Sequence, residues 1–221
     1  MLAITFLFFN PTGTTFRSIP NILLRKYFHV LAIVMFAPVI IVRPDLMSLS
    51  FGVAISALVL IELIKYGRVP PLSQPLSTYM DAFLDGRDSG IVTLTHIYLL
   101  VGCSIPVFLT FFYDSGERST YLHPLSAFSG LLTIGVGDSM ASYVGIKYGK
   151  TKWFSTSKSL EGTIGGIVSC FIAGAMLLLC VTNQTTTSIQ LIRLLIGSSI
   201  SGLLEASTNQ IDNIVLPILF F

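Results

Sequence analysis

Apolar residues fall in long runs along this chain, without the alternation of a half-buried strand or the one-sided stripe of a soluble helix. Runs long enough for a helix to cross a hydrocarbon layer, roughly 20 mostly apolar residues, lie near 28–43, 46–65, 91–112, 124–145, 162–182 and 189–205. The pattern predicts an all-α, polytopic transmembrane helix bundle with about six full spans. The first two are joined by the tight turn Arg43-Pro44-Asp45. Leu2–Phe9 and Ile214–Phe221 are apolar but too short to cross, so short terminal apolar segments flank the bundle. Residues 1–24 read as the stump of a longer span and a cytoplasmic lead-in, and 25–221 as a membrane-embedded domain. No basic segment precedes the first apolar residues, which argues against a cleaved signal peptide.

Composition fixes the solvent. The chain is 52% hydrophobic and 11% charged, where a soluble domain carries about 25% charge. That balance speaks against nucleic-acid readers, secreted disulfide scaffolds and cytosolic enzymes. Cys103, Cys170 and Cys180 sit inside apolar runs with no metal-ligand spacing and read as small hydrophobes. The net charge of +2 names no acidic partner, but the placement of the bases is informative.

Cytoplasmic loops are enriched in Lys and Arg. Alternating the loops puts Arg17, Arg25, Lys26, Lys65, Arg68, Arg87, Lys147, Lys150, Lys152 and Lys158 on one face, leaving Arg43, Arg118 and Arg193 on the other. Ten of the 13 bases therefore mark a cytoplasmic face, and the polar motifs gather there too.

The densest motif runs from Gly135 to Gly166. Asp138 lies inside a span near its cytoplasmic end, where a carboxylate is costly and marks a site or a partner. Ser142, four residues on, shares its helix face. A loop then brings Lys147, Lys150, Lys152 and Lys158 together with Ser155, Thr156, Ser157 and Ser159, and Glu161-Gly162-Thr163 opens the next helix. Cationic points, hydroxyls and the amides of a helix N-terminus suit a polyphosphate, although no Walker A pattern is present. The same lysines also serve a plain positive-inside loop, and Gly162, Gly166 and Gly174 serve close helix packing equally well.

A second constellation is Glu205-Ala-Ser-Thr-Asn-Gln-Ile-Asp-Asn213. On one continuous helix Glu205, Thr208, Asn209 and Asp212 would form a single stripe. Its carboxylates suit a hard cation such as Mg²⁺, which takes a few carboxylates plus phosphate oxygens. Asp138 is a third candidate ligand, and the three carboxylates are also the candidate catalytic groups. Weaker signals are Arg25-Lys26 with His29, either a phosphate or headgroup site or a helix anchor. Asp88 is a candidate cap or site residue, His96 a lone histidine on an apolar helix, and Glu62 either a site carboxylate or an interfacial one.

Taken together, Asp138-Ser-Met-Ala-Ser-Tyr-Val-Gly145, the Lys147–Trp153 stretch, Ser157-Lys158-Ser-Leu-Glu161-Gly162-Thr163 and Glu205-Ala-Ser-Thr-Asn-Gln-Ile-Asp-Asn213 with Leu216-Pro217 resemble the polyprenol kinase family, the dolichol kinases above all. The Arg25-Lys26…His29 and Asp88-Ser-Gly…His96 segments are also similar to it. More distantly, the pattern resembles phosphatidate cytidylyltransferases and phytol or farnesol kinases. The resemblance implies an enzyme of the endoplasmic reticulum membrane that transfers the terminal phosphate of CTP to dolichol or another polyprenol, forming the lipid carrier of protein glycosylation. It places CTP near Lys147–Gly162. The family generally has several more N-terminal spans than this chain shows.

Overall fold

A computed structural model of the chain describes residues 21–81, 94–114, 125–153, 158–181, 188–208 and 212–220. Its helices are α1 (Asn21–Val42), α2 (Pro44–Tyr66), α3 (Ser73–Asp81), α4 (Leu94–Asp114), α5 (Ser139–Tyr148), α6 (Leu160–Val181), α7 (Ser188–Ser207) and α8 (Asp212–Phe220). A 3₁₀ turn (Ser126–Phe128) and a π-helical segment (Leu131–Asp138) lead into α5. Among the described residues there is no strand, as an all-α bundle requires.

α2, α6 and α7 are long and apolar enough to cross a membrane. α1 and α4 carry shorter apolar stretches, His29–Val42 and Ile97–Phe112. The span expected over 124–145 is instead assembled from the 3₁₀ turn, the π segment and α5. π-Helix is rare beyond a single turn and is frequent at functional sites. Here it fits because glycines face its neighbours. A Cβ on Gly135 would stand 2.6 Å from Ile33 Cγ1 of α1, and one on Gly137 would stand 3.9 Å from Cys170 Cβ of α6.

The bundle is apolar outside and carries small polar residues among its buried apolar ones. Along α6, Ile164, Val168, Ile172, Met176 and Leu179 all face outward, while Thr163 and Cys170 are buried. His29, Ser104, Ser129, Thr133, Ser198 and Ser201 are buried elsewhere in the bundle. In lipid this is the stable arrangement, because small and hydroxyl-bearing residues let helices approach while large apolar side chains meet the acyl phase. Most helical hydroxyls are satisfied one turn back: Thr133 donates to Ser129 O at 2.8 Å and Ser169 to Gly165 O at 2.7 Å. The most deeply buried apolar side chains include Phe51, Val107, Leu132, Ile134 and Leu178, and Phe36 packs edge-on against Phe51 with centroids 5.0 Å apart.

Pro44 occupies the first turn of α2, where its missing N–H costs nothing. Arg43 holds that turn by donating to both oxygens of Asp45, at 3.1 and 2.9 Å. At the other end of α2, Glu62 is buried against Lys65, 3.1 Å away. Its charge is therefore met within its own helix.

Glycines differ sharply in what surrounds them. A Cβ on Gly102 of α4 would run into the Asn213 carbonyl of α8, whereas one on Gly52 of α2 would meet nothing within 4 Å. Gly52→Ala should therefore leave thermal stability unchanged or raise it by up to about 1 kcal/mol, the helix-propensity difference between the residues. A melting curve in detergent reads this, and a marked loss would show that another surface covers Gly52.

Candidate active site

The lysine-rich loop is folded back onto the start of α6. Leu160 N donates to Thr151 O at 2.9 Å and Trp153 N to Lys158 O at 3.1 Å, with an isolated antiparallel bridge between Lys152 and Ser159. Ser159 caps α6 by accepting from Gly162 N at 3.2 Å, the satisfaction of an orphan amide that favours Ser at this position. The Glu161 carboxylate accepts from Thr151 N through both oxygens, at 3.0 and 3.2 Å. The Trp153 indole donates to Thr163 Oγ1 at 3.1 Å. Trp153 and Thr151, part of the Lys147–Trp153 stretch but given no role of their own by the sequence, both fix the loop.

This fold-back has a chemical consequence. The amides of Leu160, Gly162 and Thr163 are already engaged by Thr151 O, Ser159 Oγ and Ser159 O. The amide cradle expected at Glu161-Gly162-Thr163 is thus largely closed by the protein itself. What remains for an anion is the positive end of the α6 dipole and the lysine side chains.

Between the π segment, α5, the loop, α6 and α7 lies a cleft of about 300 Å³. Asp138 lines it from the end of the π segment, Ser142 and Gly145 from α5, and Lys152 and Lys158 from the loop. Gly162 and Thr163 complete it from α6, and Glu205 from α7. Lys158 Nζ donates to the Glu205 backbone carbonyl, so the loop is tied to the end of α7. Gly162 lets α6 approach α5, since a Cβ there would stand 2.6 Å from Ala141 O and 3.1 Å from Gly145 Cα.

Asp138 also meets α1. Its Oδ2 lies 3.2 Å from Nδ1 of His29, whose side chain is 6% exposed. The ring nitrogen is not aligned for a hydrogen bond, so the two stand at ion-pair distance. An intramembrane carboxylate is normally paired in this way, and the contact gives His29 a place beside the site.

The other candidates are distributed unevenly. Lys147 lies off the cleft lining: it donates to the Tyr143 hydroxyl at 3.2 Å and stands 5.3 Å from the centre of the Tyr148 ring. Beyond the 124–145 apolar run, its pKa is raised by the hydrogen bonds to Tyr143 and then Tyr148. Lys150 is exposed and also off the lining. Asn213 is half-buried in the first turn of α8, with its carbonyl against Gly102. Asp88 and Ser157 lie outside the described residues, as do the side chains of Arg25 and Lys26 on α1, His96 on α4 and Asp212 at the head of α8.

The single stripe expected for Glu205, Thr208, Asn209 and Asp212 does not form. α7 ends at Ser207 and α8 starts at Asp212. Both the backbone N–H and the hydroxyl of Thr208 donate to Leu204 O, at 3.0 and 2.9 Å, and Ser207 Oγ donates to the same carbonyl at 2.9 Å. The last helical bond of α7 is made by the Thr208 N–H, with the Ser207 and Thr208 hydroxyls folded onto the same carbonyl. Glu205 and Asp212 therefore sit on two helices.

Residues 88–206, which hold Asp138, the lysine loop and Glu205, match the model of the cytidylyltransferase family. The chain is 38% identical over 211 residues to the dolichol kinase EVAN of Arabidopsis thaliana, covering 92% of this chain and 35% of that protein. It is 36% identical over 198 residues to the dolichol kinase of Mus musculus (88% and 36%), and 30% identical over 215 residues to that of Saccharomyces cerevisiae (90% and 38%). The chain spans little more than a third of the length of these curated relatives. No solved structure matches it. With the family match covering more than half of its length and enclosing every described wall of the cleft, this membrane-helix chain belongs to the cytidylyltransferase family.

Proposed function

We propose that this chain carries the catalytic core of a CTP-dependent lipid kinase that phosphorylates dolichol to dolichyl phosphate, with its site on the cytoplasmic face of the endoplasmic reticulum membrane. One observation carries the reading: two lysines and two carboxylates from separate elements converge on one cleft at the polar end of a membrane bundle. The relatives named dolichol kinase supply the substrate pair. The ten-to-three bias of basic residues supplies the orientation.

Phosphoryl transfer needs positioning and charge neutralisation more than covalent chemistry from the protein. Lys152 and Lys158 hold the nucleotide phosphates at the positive end of α6. The prenol oxygen attacks the terminal phosphorus, the bond to the bridging oxygen breaks, and CDP leaves. Asp138, backed by His29, is placed to take the alcohol proton. Glu205 and Asp138 line the same cleft, and no cluster of three metal-ligating side chains exists among the described residues. That donor set fits a Mg²⁺ shared with nucleotide phosphates, and Asp212 is the candidate third ligand. When bound, Mg²⁺ neutralises charge on the phosphate oxygens.

The competing reading is cytidylyl transfer, which the family's description favours. Product analysis separates the two. Membranes carrying the chain, given CTP and dolichol, should yield dolichyl phosphate and CDP. Pyrophosphate with a CDP-linked lipid would establish a cytidylyltransferase, and failure to bind CTP would leave a transporter or accessory subunit.

A further inference from the structure

Ser198 and Ser201 of α7 are 1% and 6% exposed, and neither hydroxyl has a hydrogen-bond partner. This is unusual within their own helix. Ser199, between them, donates to Leu195 O at 2.8 Å, and Ser207 donates to Leu204 O. The backbone offers the same acceptors one turn back to Ser198 and Ser201, yet both hydroxyls turn away from them. In an apolar bundle an unpaired buried hydroxyl is destabilising and calls for a partner that the protein alone does not supply.

Their surroundings locate them. The Cys170 thiol of α6 lies beside the Ser198 hydroxyl, in a sulfur contact that falls short of hydrogen-bond geometry. A Cβ on Gly137 would stand 3.9 Å from Cys170 Cβ, and one on Gly166 would stand 3.1 Å from Gly137 O. A Cβ on Gly202 of α7 would run into the Ile167 side chain of α6, so the π segment, α6 and α7 meet at this level. Ser201 is one helical turn from Glu205 on the same face, and Ser198 is the next step inward. The two hydroxyls lead from the charged cleft towards the apolar interior.

We infer that Ser198 and Ser201 seat the hydroxyl end of the acceptor alcohol. A long-chain alcohol has one small group that both donates and accepts a hydrogen bond, on an otherwise apolar body. Two unpaired hydroxyls in an apolar junction, a turn below a phosphate-binding cleft, complement that chemistry. Seated there, the alcohol oxygen faces Glu205 and the cleft, and its tail stays among apolar side chains. The inference rests on the kinase reading above.

Steady-state kinetics on the full chain in lipid nanodiscs, varying dolichol and CTP separately, provide the test. The Ser198→Ala/Ser201→Ala double variant should raise KM for dolichol about three- to tenfold per lost hydrogen bond, with KM for CTP unchanged. Its melting temperature should hold or rise, since removing an unpaired buried hydroxyl relieves a penalty. Ser199→Ala, which loses only a bond within its helix, should leave both KM values unchanged. An unchanged KM for dolichol in the folded double variant would overturn the seat and leave the two hydroxyls to internal water. Absence of dolichol phosphorylation by the parent chain would overturn the kinase reading itself.

Discussion

Lys158→Met is expected to lower CTP-dependent dolichol phosphorylation by about two to three orders of magnitude, the loss typical when a preorganised group that stabilises developing charge is removed. The four lysines between 147 and 158 are not equivalent. Lys147 is held by Tyr143 and lies near the Tyr148 ring, Lys150 is exposed, and only Lys152 and Lys158 line the cleft. Of these two, Lys158 also donates to the Glu205 carbonyl, so it fixes the distance between the loop and the carboxylate of α7. Its removal takes away a cleft-lining cation and loosens that wall together. Lys147→Met and Lys150→Met should keep activity within a few-fold of the parent. Turnover assays on the three variants, each with its melting curve, measure this. Equal losses in all three would mean that the loop acts through bulk charge alone, and full activity in folded Lys158→Met would remove Lys158 from the site.

The sequence made the site's membership legible because its signals were local. Asp138 in an apolar run, lysines in a polar loop and Glu205 at the end of another run are each expensive placements, and the structure collects all three at one cleft. Where the reading missed, it assumed the 3.6-residue period continued. The π segment changes the phase of the residues before Asp138, and no single side chain announces it; Gly135 and Gly137 matter because of what packs against them, α1 and α6. The stripe through Asp212 failed for a related reason, since α7 ends at Ser207 and Asp212 opens a separate helix. Ser198 and Ser201 look like any small residues of a membrane helix until their unsatisfied hydroxyls are seen beside Ser199.

Gly162→Val should abolish activity and destabilise the bundle by about 1–3 kcal/mol or more, the range for bulk forced into a packed interface. Gly162 is the point where three requirements meet. It lies in the first turn of α6, where its N–H donates to the capping Ser159 Oγ; it faces α5; and it lines the cleft. A Cβ there would stand 2.6 Å from Ala141 O, 3.0 Å from Ser159 Oγ and 3.1 Å from Gly145 Cα. Two of those neighbours are backbone, which cannot rotate away, so α5 and α6 must separate. The same contact repeats one turn on, where a Cβ on Gly166 would stand 3.1 Å from Gly137 O, and tilting α6 therefore brings no relief. Separation would open the cleft between Asp138 and Lys158 and uncap α6. Gly52→Val, at a position open on all sides, supplies the comparison. Melting curves for the pair should diverge, with loss at Gly162 and little change at Gly52. If Gly162→Val keeps parental stability and turnover, the α5–α6 seam is looser than its glycines indicate, and the cleft does not depend on it.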